Sequence, residues 1–134
     1  MVAVNPSEHP LLYRAVPDPS WLVVKRLAFK LRSARPPRRP TAEKDLSVFL
    51  SVSCTKAFCE INWSTCLGEF ILKTEDVLAD GWRVEKNDPA HHHARPNHAS
   101  ILDLPLYGSP ELEIELAASR LADLVQTFQP RPTV

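Results

Sequence analysis

The sequence has 134 residues, of which 44% are hydrophobic and 24% charged, with 16 basic and 16 acidic side chains. This composition is typical of one folded domain and excludes wholesale disorder. The balanced charge argues against duplex nucleic acid as a bulk electrostatic partner. No apolar run is long enough to cross a bilayer, so an integral membrane protein is excluded as well.

Prolines and glycines set the boundaries of the predicted elements. The 13 prolines are absent from residues 41–88, where we expect uninterrupted secondary structure. We predict a single α+β domain over residues 1–134, with a small mixed or antiparallel sheet and a long C-terminal amphipathic helix packed on it. Residues 1–10 and 129–134 are expected to be flexible tails, and residues 32–44 and 87–97 exposed loops.

In the first half of the chain, short apolar runs between prolines indicate strands. Residues 46–52 give the clearest pattern, because Leu46, Val48, Leu50 and Val52 alternate with other side chains. Residues 21–31 fit a helix capped by Ser20 and a strand about equally, and we favour a helix or irregular structure. In chain order, the predictions are a strand at 11–14, the segment 21–31, a polyproline-like loop at 32–44 and a strand at 46–52.

In the second half, helices and strands alternate, and the last helix has the clearest start signal. Ser109, Pro110 and Glu111 provide an N-cap, a first-turn proline and an acid, and apolar residues then recur at helical spacing as far as Phe128. Thr74 is a predicted N-cap and Gly81 a predicted C-terminal glycine of a short helix. In chain order, we predict a helix at 55–66, a strand at 68–73, a helix at 75–80, a strand at 82–86, a loop at 87–97, a strand at 99–104 and the final helix.

The three cysteines, Cys54, Cys59 and Cys66, lie within the proline-free segment. Their odd number and spacing match neither a disulfide framework nor a paired zinc motif. We expect reduced thiols that fill the core of a cytoplasmic protein, and the first ten residues lack the features of a secretory signal. The alternative, a nucleophilic thiol, requires a nearby positive charge, for which Lys56 is the candidate.

The histidines offer a possible site for a divalent metal. His91, His93 and His98 could supply imidazole ligands, and Asp88 or Asp103 an oxygen. The favoured alternative is a polar loop with only adventitious metal affinity, since no histidine pair has the spacing of a helical metal motif. His98 also precedes a strand directly, where it could act as an acid, a base or a binding residue. Alternatively, it could donate a hydrogen bond to a backbone carbonyl.

The loop at 32–44 is basic, and Arg35, Arg38 and Arg39 are candidate binding residues for an anion or an acidic protein surface. Aromatic side chains for base stacking are absent between residues 30 and 45, so nucleic acid is not expected as a partner. A solvated loop is the favoured alternative. With only three glycines, the chain cannot contain the phosphate-binding loops of nucleotide enzymes or the serine hydrolase elbow.

Six short blocks between residues 11 and 106 can be compared with known sequences: LLYRAVP, RLAFKL, DLSVFLS, GEFILKT, WRVEKNDPA and PNHASILDLP. Together they resemble a widespread set of small uncharacterised bacterial proteins, and this resemblance implies an α+β fold. A second resemblance is to ADP-ribosyltransferase-like domains, with Arg14, Ser51 and Glu113 at the matching positions. It implies group transfer from a nucleotide.

We therefore expect a small cytoplasmic bacterial binding or interaction protein, for example in a defence or toxin–immunity system, that requires no cofactor. Its partner would be another protein or a second copy, bound through the loops or through the last helix with Glu111, Glu115 and Asp123. The competing hypothesis is an enzyme centred on Arg14 and His98 that uses a nucleotide or a divalent metal. That hypothesis requires Arg14, Ser51 and His98 to meet in one pocket.

Overall fold

The computed structural model describes residues 2–30, 46–62, 65–86, 97–105 and 110–131. Within these ranges, seven strands form one antiparallel sheet in the order β1-β5-β6-β3-β2-β4-β7, which confirms the α+β class. The strands are β1 Val2–Ala3, β2 Leu11–Val16, β3 Leu46–Phe49, β4 Gly68–Lys73, β5 Arg83–Lys86, β6 His98–Leu102 and β7 Val125–Pro130. The helices are α1 Ser20–Val23, α2 Val52–Asn62, α3 Thr74–Ala79 and α4 Glu111–Asp123, with a 3₁₀-helix at Lys25–Ala28.

The two faces of the sheet are covered by different elements. On one face, called the core face below, the side chains of Leu12, Phe70 and Leu72 join a buried cluster with residues of α4 and of the 3₁₀-helix. On the other face, called the α2 face, Ala15 packs with Cys59 of α2. Because successive residues of a strand point to opposite faces, the register assigns every strand residue to one of these two environments.

The predicted strand at 46–52 is too long. β3 ends at Phe49, and α2 begins at Val52, three residues before the predicted helix start. The hydroxyl oxygen of Ser51 accepts a hydrogen bond from the backbone N–H of Cys54 at 3.2 Å, which is the geometry of a helix N-cap. The serine therefore ends the strand pattern, and Val52 starts a helix instead of continuing the sheet.

The prediction that the last helix extends to Phe128 is wrong. α4 ends at Asp123, and residues 125–130 form β7 along the edge of β4. An irregularity in the register places both Val125 and Phe128 opposite core-face residues, Leu72 and Phe70. Two strand residues three positions apart thus share one face, and this spacing imitates the period of a helix.

The N-terminal tail and the Thr74 cap also differ from the prediction. Val2–Ala3 pairs with β5, and Val4 is buried, so part of residues 1–10 belongs to the fold. Lys73 is the N-cap of α3, and the Thr74 hydroxyl instead donates a hydrogen bond to the backbone oxygen of His9 at 2.6 Å. This bond attaches the N-terminal segment to the start of α3. At the other end of the chain, β7 includes residues 129 and 130 of the predicted C-terminal tail.

Most other element predictions are confirmed, but the predicted N-caps Ser20 and Ser109 are wrong, because Pro19 and Pro110 are the N-caps of α1 and α4. α2 ends at Asn62 and not at residue 66. Residues 21–28 combine a short helix with a 3₁₀-helix, and Gly81 ends α3 with a positive φ of 98°. Pro110 precedes α4, whose first turn contains the acids Glu111 and Glu113. The predicted loop at 32–44 lies outside the described residues, as do residues 87–96 of the second loop.

We expect Gly68→Ala to destabilise the protein strongly. A Cβ atom at this position would overlap the backbone oxygen of Gln129 and lie 2.9 Å from Cζ of Phe128, in the β4–β7 pair. We expect the free energy of unfolding to fall by about 2–4 kcal/mol, as for other substitutions that force backbone apart. Urea denaturation of the purified variant measures this change.

The matched control is Gly81→Ala, because Gly81 also has a positive φ but has nothing within 4 Å of the added Cβ. Conformational strain alone should cost this variant about 1–2 kcal/mol. Equal losses for the two variants would show that the close packing of β7 on Gly68 does not contribute.

Candidate functional site

Arg14 lies in the middle of the sheet and connects three segments of the chain. Its Nε donates a hydrogen bond to the backbone oxygen of Ala28 at 2.8 Å, and its Nη1 donates one to the backbone oxygen of Ser47, also at 2.8 Å. The guanidinium also lies 5.8 Å from the ring centre of Trp21. Through these contacts, the Arg14 guanidinium holds the 3₁₀-helix and β3 against β2.

His98 lies on the other face of the sheet. It pairs with Phe49 across β3 and β6, its ring meets the Phe49 ring edge-on at 5.4 Å, and only 5% of the residue is exposed. Phe49 in turn pairs with Tyr13, the neighbour of Arg14. Because Tyr13 and Arg14 are adjacent in one strand, Arg14 and His98 project from opposite faces of the sheet.

The residues of the enzyme hypothesis are therefore not brought together. Arg14 is on the core face, His98 is on the α2 face, and Ser51 caps α2. Glu113 is exposed on α4. One pocket cannot contain the side chains of both Arg14 and His98, so the convergence that this hypothesis requires is not met.

The remaining predicted site residues are only partly covered by the structure. Arg35, Arg38 and Arg39 of the basic loop lie outside the described residues, as do His91 and His93. Asp103 is described, and its carboxylate accepts two hydrogen bonds from Arg83, at 2.7 and 2.8 Å. Across the described ranges, no group of three or more His, Cys, Asp or Glu side chains is placed to hold a metal ion.

Replacing Arg14 with methionine should destabilise the fold. The change leaves the backbone oxygens of Ala28 and Ser47 without their charged donor, and we expect the free energy of unfolding to fall by roughly 2–3 kcal/mol. Chemical denaturation checks this expectation.

Arg83→Met serves as the control for the loss of an arginine, since Arg83 pairs with Asp103 at an exposed position. Its effect should be much smaller, because exposed ion pairs contribute little to stability. An Arg14→Met protein as stable as the control would rule out the structural role of this guanidinium.

The sequence did not single out the buried thiols as a pair, but the structure places them together. Cys59 on α2 and Cys66 in the segment before β4 form a small buried cluster with Ala15 on the α2 face. The Cys66 Sγ lies 3.5 Å from the backbone oxygen of Val16 and 3.4 Å from that of Gly68, and its single S–H can donate a weak hydrogen bond to either oxygen. Two nucleophilic sulfur atoms thus share one site beneath the end of α2.

Charged side chains adjoin this cysteine pair. Glu69 on β4 is only 5% exposed, and burial together with the nearby Cys66 raises the pKa of its carboxyl to about 7. Arg131 follows β7, contacts Glu60 at 3.4 Å and opposes this rise in the pKa of Glu69. The carboxyl and the two thiols make this the densest group of side chains with shifted pKa values in the described part of the chain, and Arg131 adds a positive charge beside them.

The two thiols of the pair are not equivalent. The hydrogen bond with Cys66, together with burial, raises the pKa of the Cys59 thiol. The same hydrogen bond lowers the pKa of Cys66, and the positive charge of Arg131 acts in the same direction. Cys66 is therefore the member of the pair that ionises first and the stronger candidate nucleophile.

Glu69 should make stability depend on pH. A carboxyl with a pKa of about 7 in the folded protein and an ordinary value of 4.5 in the unfolded chain binds its proton more tightly when folded. Stability is therefore lost as pH rises from about 4.5 to 7. We expect Glu69→Gln, which carries no charge, to gain roughly 2 kcal/mol of stability relative to the wild type over this interval.

Urea denaturation at several pH values measures this difference. The two proteins should differ least near pH 4, where Glu69 is protonated in both the folded and the unfolded states. Parallel stability curves between pH 4 and 8 would show that the Glu69 carboxyl is not buried as described.

The exposed side of α4 presents a second candidate site. Ala118 and Leu121 belong to the buried core cluster and Ile114 is also buried, whereas Leu112 is 69% exposed and Leu116 55%. Since residues four apart lie on the same side of a helix, these two leucines form one apolar stripe. A groove of about 520 Å³ runs beside Leu116.

Apolar and charged side chains both line the groove. Trp82 and Ala117 are apolar lining residues, and Glu113 and Arg120 are charged ones. Arg120 stacks 5.0 Å from the ring centre of Trp82, and its Nη2 lies 3.1 Å from the carboxylate of Asp80. These contacts hold the arginine in place beside the leucine stripe.

Two of the three acids predicted to meet a partner are engaged within the chain. Lys30 donates hydrogen bonds to Glu111 and to Glu115, each at 2.7 Å, and Arg26 donates one to Glu115 at 2.8 Å. Asp123, the third, is exposed. The part of α4 that is left open therefore differs from the predicted one and centres on Leu112 and Leu116.

Comparison with protein-family models, curated proteins and solved structures found no significant match. The two resemblances drawn from the sequence blocks stay predictions. Across the residues that the structure describes, no helix is both long enough and apolar enough to span a membrane. The class of the protein is therefore defined by its fold, an α+β domain with a seven-stranded antiparallel sheet.

Proposed function

We propose that the protein is an interaction module that pairs with a second copy of itself through α4. The observation that supports this is the stripe formed by Leu112 and Leu116, which leaves apolar surface on the outside of a helix whose other side is packed. Burial of such a stripe against a partner is favourable because it removes apolar area from water.

The charges along α4 favour a second copy as the partner. Glu113 lies near the start of the helix and Arg120 near its end, seven residues or about 10 Å apart along the axis. Two α4 helices related by a twofold axis perpendicular to them run antiparallel, so Glu113 of each copy would lie beside Arg120 of the other.

The enzyme alternative has less support, because Arg14 and His98 lie on opposite faces of the sheet. The three free thiols are compatible with a reducing compartment, and we place the protein in the cytoplasm as part of this proposal. A bacterial defence or toxin–immunity role stays a prediction from the sequence.

Sedimentation equilibrium over a hundredfold range of protein concentration tests the pairing. We expect a reversible dimer, and we expect Leu116→Glu to raise its dissociation constant at least about tenfold, which corresponds to about 1.4 kcal/mol. The matched control is Val23→Glu, which places the same charge at another exposed apolar residue, 85% exposed on α1. This control should leave the dissociation constant unchanged.

A charge reversal tests the antiparallel arrangement. Glu113→Arg should weaken the dimer, because it places arginines of the two copies beside each other. Arg120 is left unchanged in this test, because its guanidinium also pairs with Asp80 within the chain. A monomer at every concentration would overturn the proposal, as would a dimer that Leu116→Glu leaves intact. Circular dichroism confirms that each variant is folded.

A further inference from the structure

The pair of thiols on the α2 face has no role in pairing through α4. Cys59 is 1% exposed and Cys66 is 7% exposed, and the two belong to the same buried cluster. Cys54, the third cysteine, lies in the first turn of α2, where its sulfur is 3.4 Å from the Nδ2 of Asn97. The chain thus contains a thiol pair and a separate thiol that serves as an internal comparison.

Backbone hydrogen bonds hold Cys66 in place. The N–H of Leu67 donates to the oxygen of Val16 at 2.9 Å, and the oxygen of Leu67 accepts from the N–H of Arg131 at 2.9 Å. The segment before β4 is therefore attached to the ends of both β2 and β7. α2 brings Cys59 against this segment, where its thiol is within hydrogen-bonding reach of Cys66.

The surroundings of the pair suit a reactive thiol. Arg131 is four-fifths buried and provides a positive charge, which stabilises a thiolate. Glu69, the second residue of β4, has a buried carboxyl that can take up a proton.

We propose that Cys59 and Cys66 are a redox-active dithiol, which hydrogen peroxide oxidises to an intramolecular disulfide. The Cys66 thiolate attacks one peroxide oxygen and the O–O bond breaks, which leaves a sulfenic acid on Cys66 and releases hydroxide. The Cys59 sulfur then attacks the Cys66 sulfur, and the S–OH bond breaks. The departing hydroxide combines with the proton from Cys59 to form water.

The overall change is balanced. Two thiols lose two hydrogen atoms and two electrons to form one S–S bond, and one peroxide molecule is reduced to two water molecules. A small oxidant is required because the exposed fraction of each thiol is low, so a bulky disulfide substrate has poor access. Dithiothreitol should reverse the reaction.

The experiment treats the folded protein with a small molar excess of hydrogen peroxide, quenches with catalase, and alkylates the remaining thiols in denaturant. Intact-mass and peptide spectrometry then count the alkyl groups and locate the disulfide. We expect the wild type to keep one reactive thiol, Cys54, and to give a peptide in which Cys59 is linked to Cys66. Dithiothreitol should restore alkylation of all three cysteines.

Two variants form a matched pair for this test. Cys54→Ser should still form the Cys59–Cys66 link at the rate of the wild type, whereas Cys66→Ser should form no disulfide. Circular dichroism shows whether each variant is folded, and the wild-type result stands even if Cys66→Ser does not fold. Three reduced thiols in peroxide-treated wild type, or a disulfide that includes Cys54, would overturn the proposal.

Discussion

The pairing of β2 with β4 is the interaction on which the rest of the structure depends. Its register, from Leu11↔Lys73 to Val16↔Gly68, places Leu12 and Leu72 on one face of the sheet. It places Ala15 and Glu69 on the other face. Alternation along the strands then decides which side chains meet α4 and which meet α2. Because a shift of one residue would exchange the two faces, both the hydrophobic core and the cysteine pair rely on this register.

The register also explains why chemical groups that look independent in the sequence acquire different roles. Arg14 lies on the core face, and its guanidinium donates hydrogen bonds to the backbone oxygens of Ala28 and Ser47. Glu69 lies on the α2 face beside Cys66, where burial raises the pKa of its carboxyl. Arg14 thus joins segments of the chain. The carboxyl of Glu69 and the buried thiols instead remain able to exchange protons or react.

The two proposed sites are separate because the sheet lies between them. α4 packs on the core face and presents Leu112 and Leu116 outward, while α2 covers Cys59 on the opposite face. A partner bound through α4 would not contact the α2 face. Oxidation of the thiols would form a bond within the segment between α2 and β4, away from the leucine stripe. Each proposal can therefore fail without affecting the other.

The sequence by itself determined the fold class and the positions of most elements, because apolar alternation and cap residues act over only a few neighbours. It placed β2 and β4 correctly and the start of α4 to within one residue, but it extended the last helix to Phe128, since a bulged strand shares the helical spacing of apolar residues. Only the tertiary structure decided that Arg14 and His98 are on opposite faces and that Cys59 meets Cys66. Such relations depend on strand register and helix packing, which bring together residues far apart in the chain and leave no local signal.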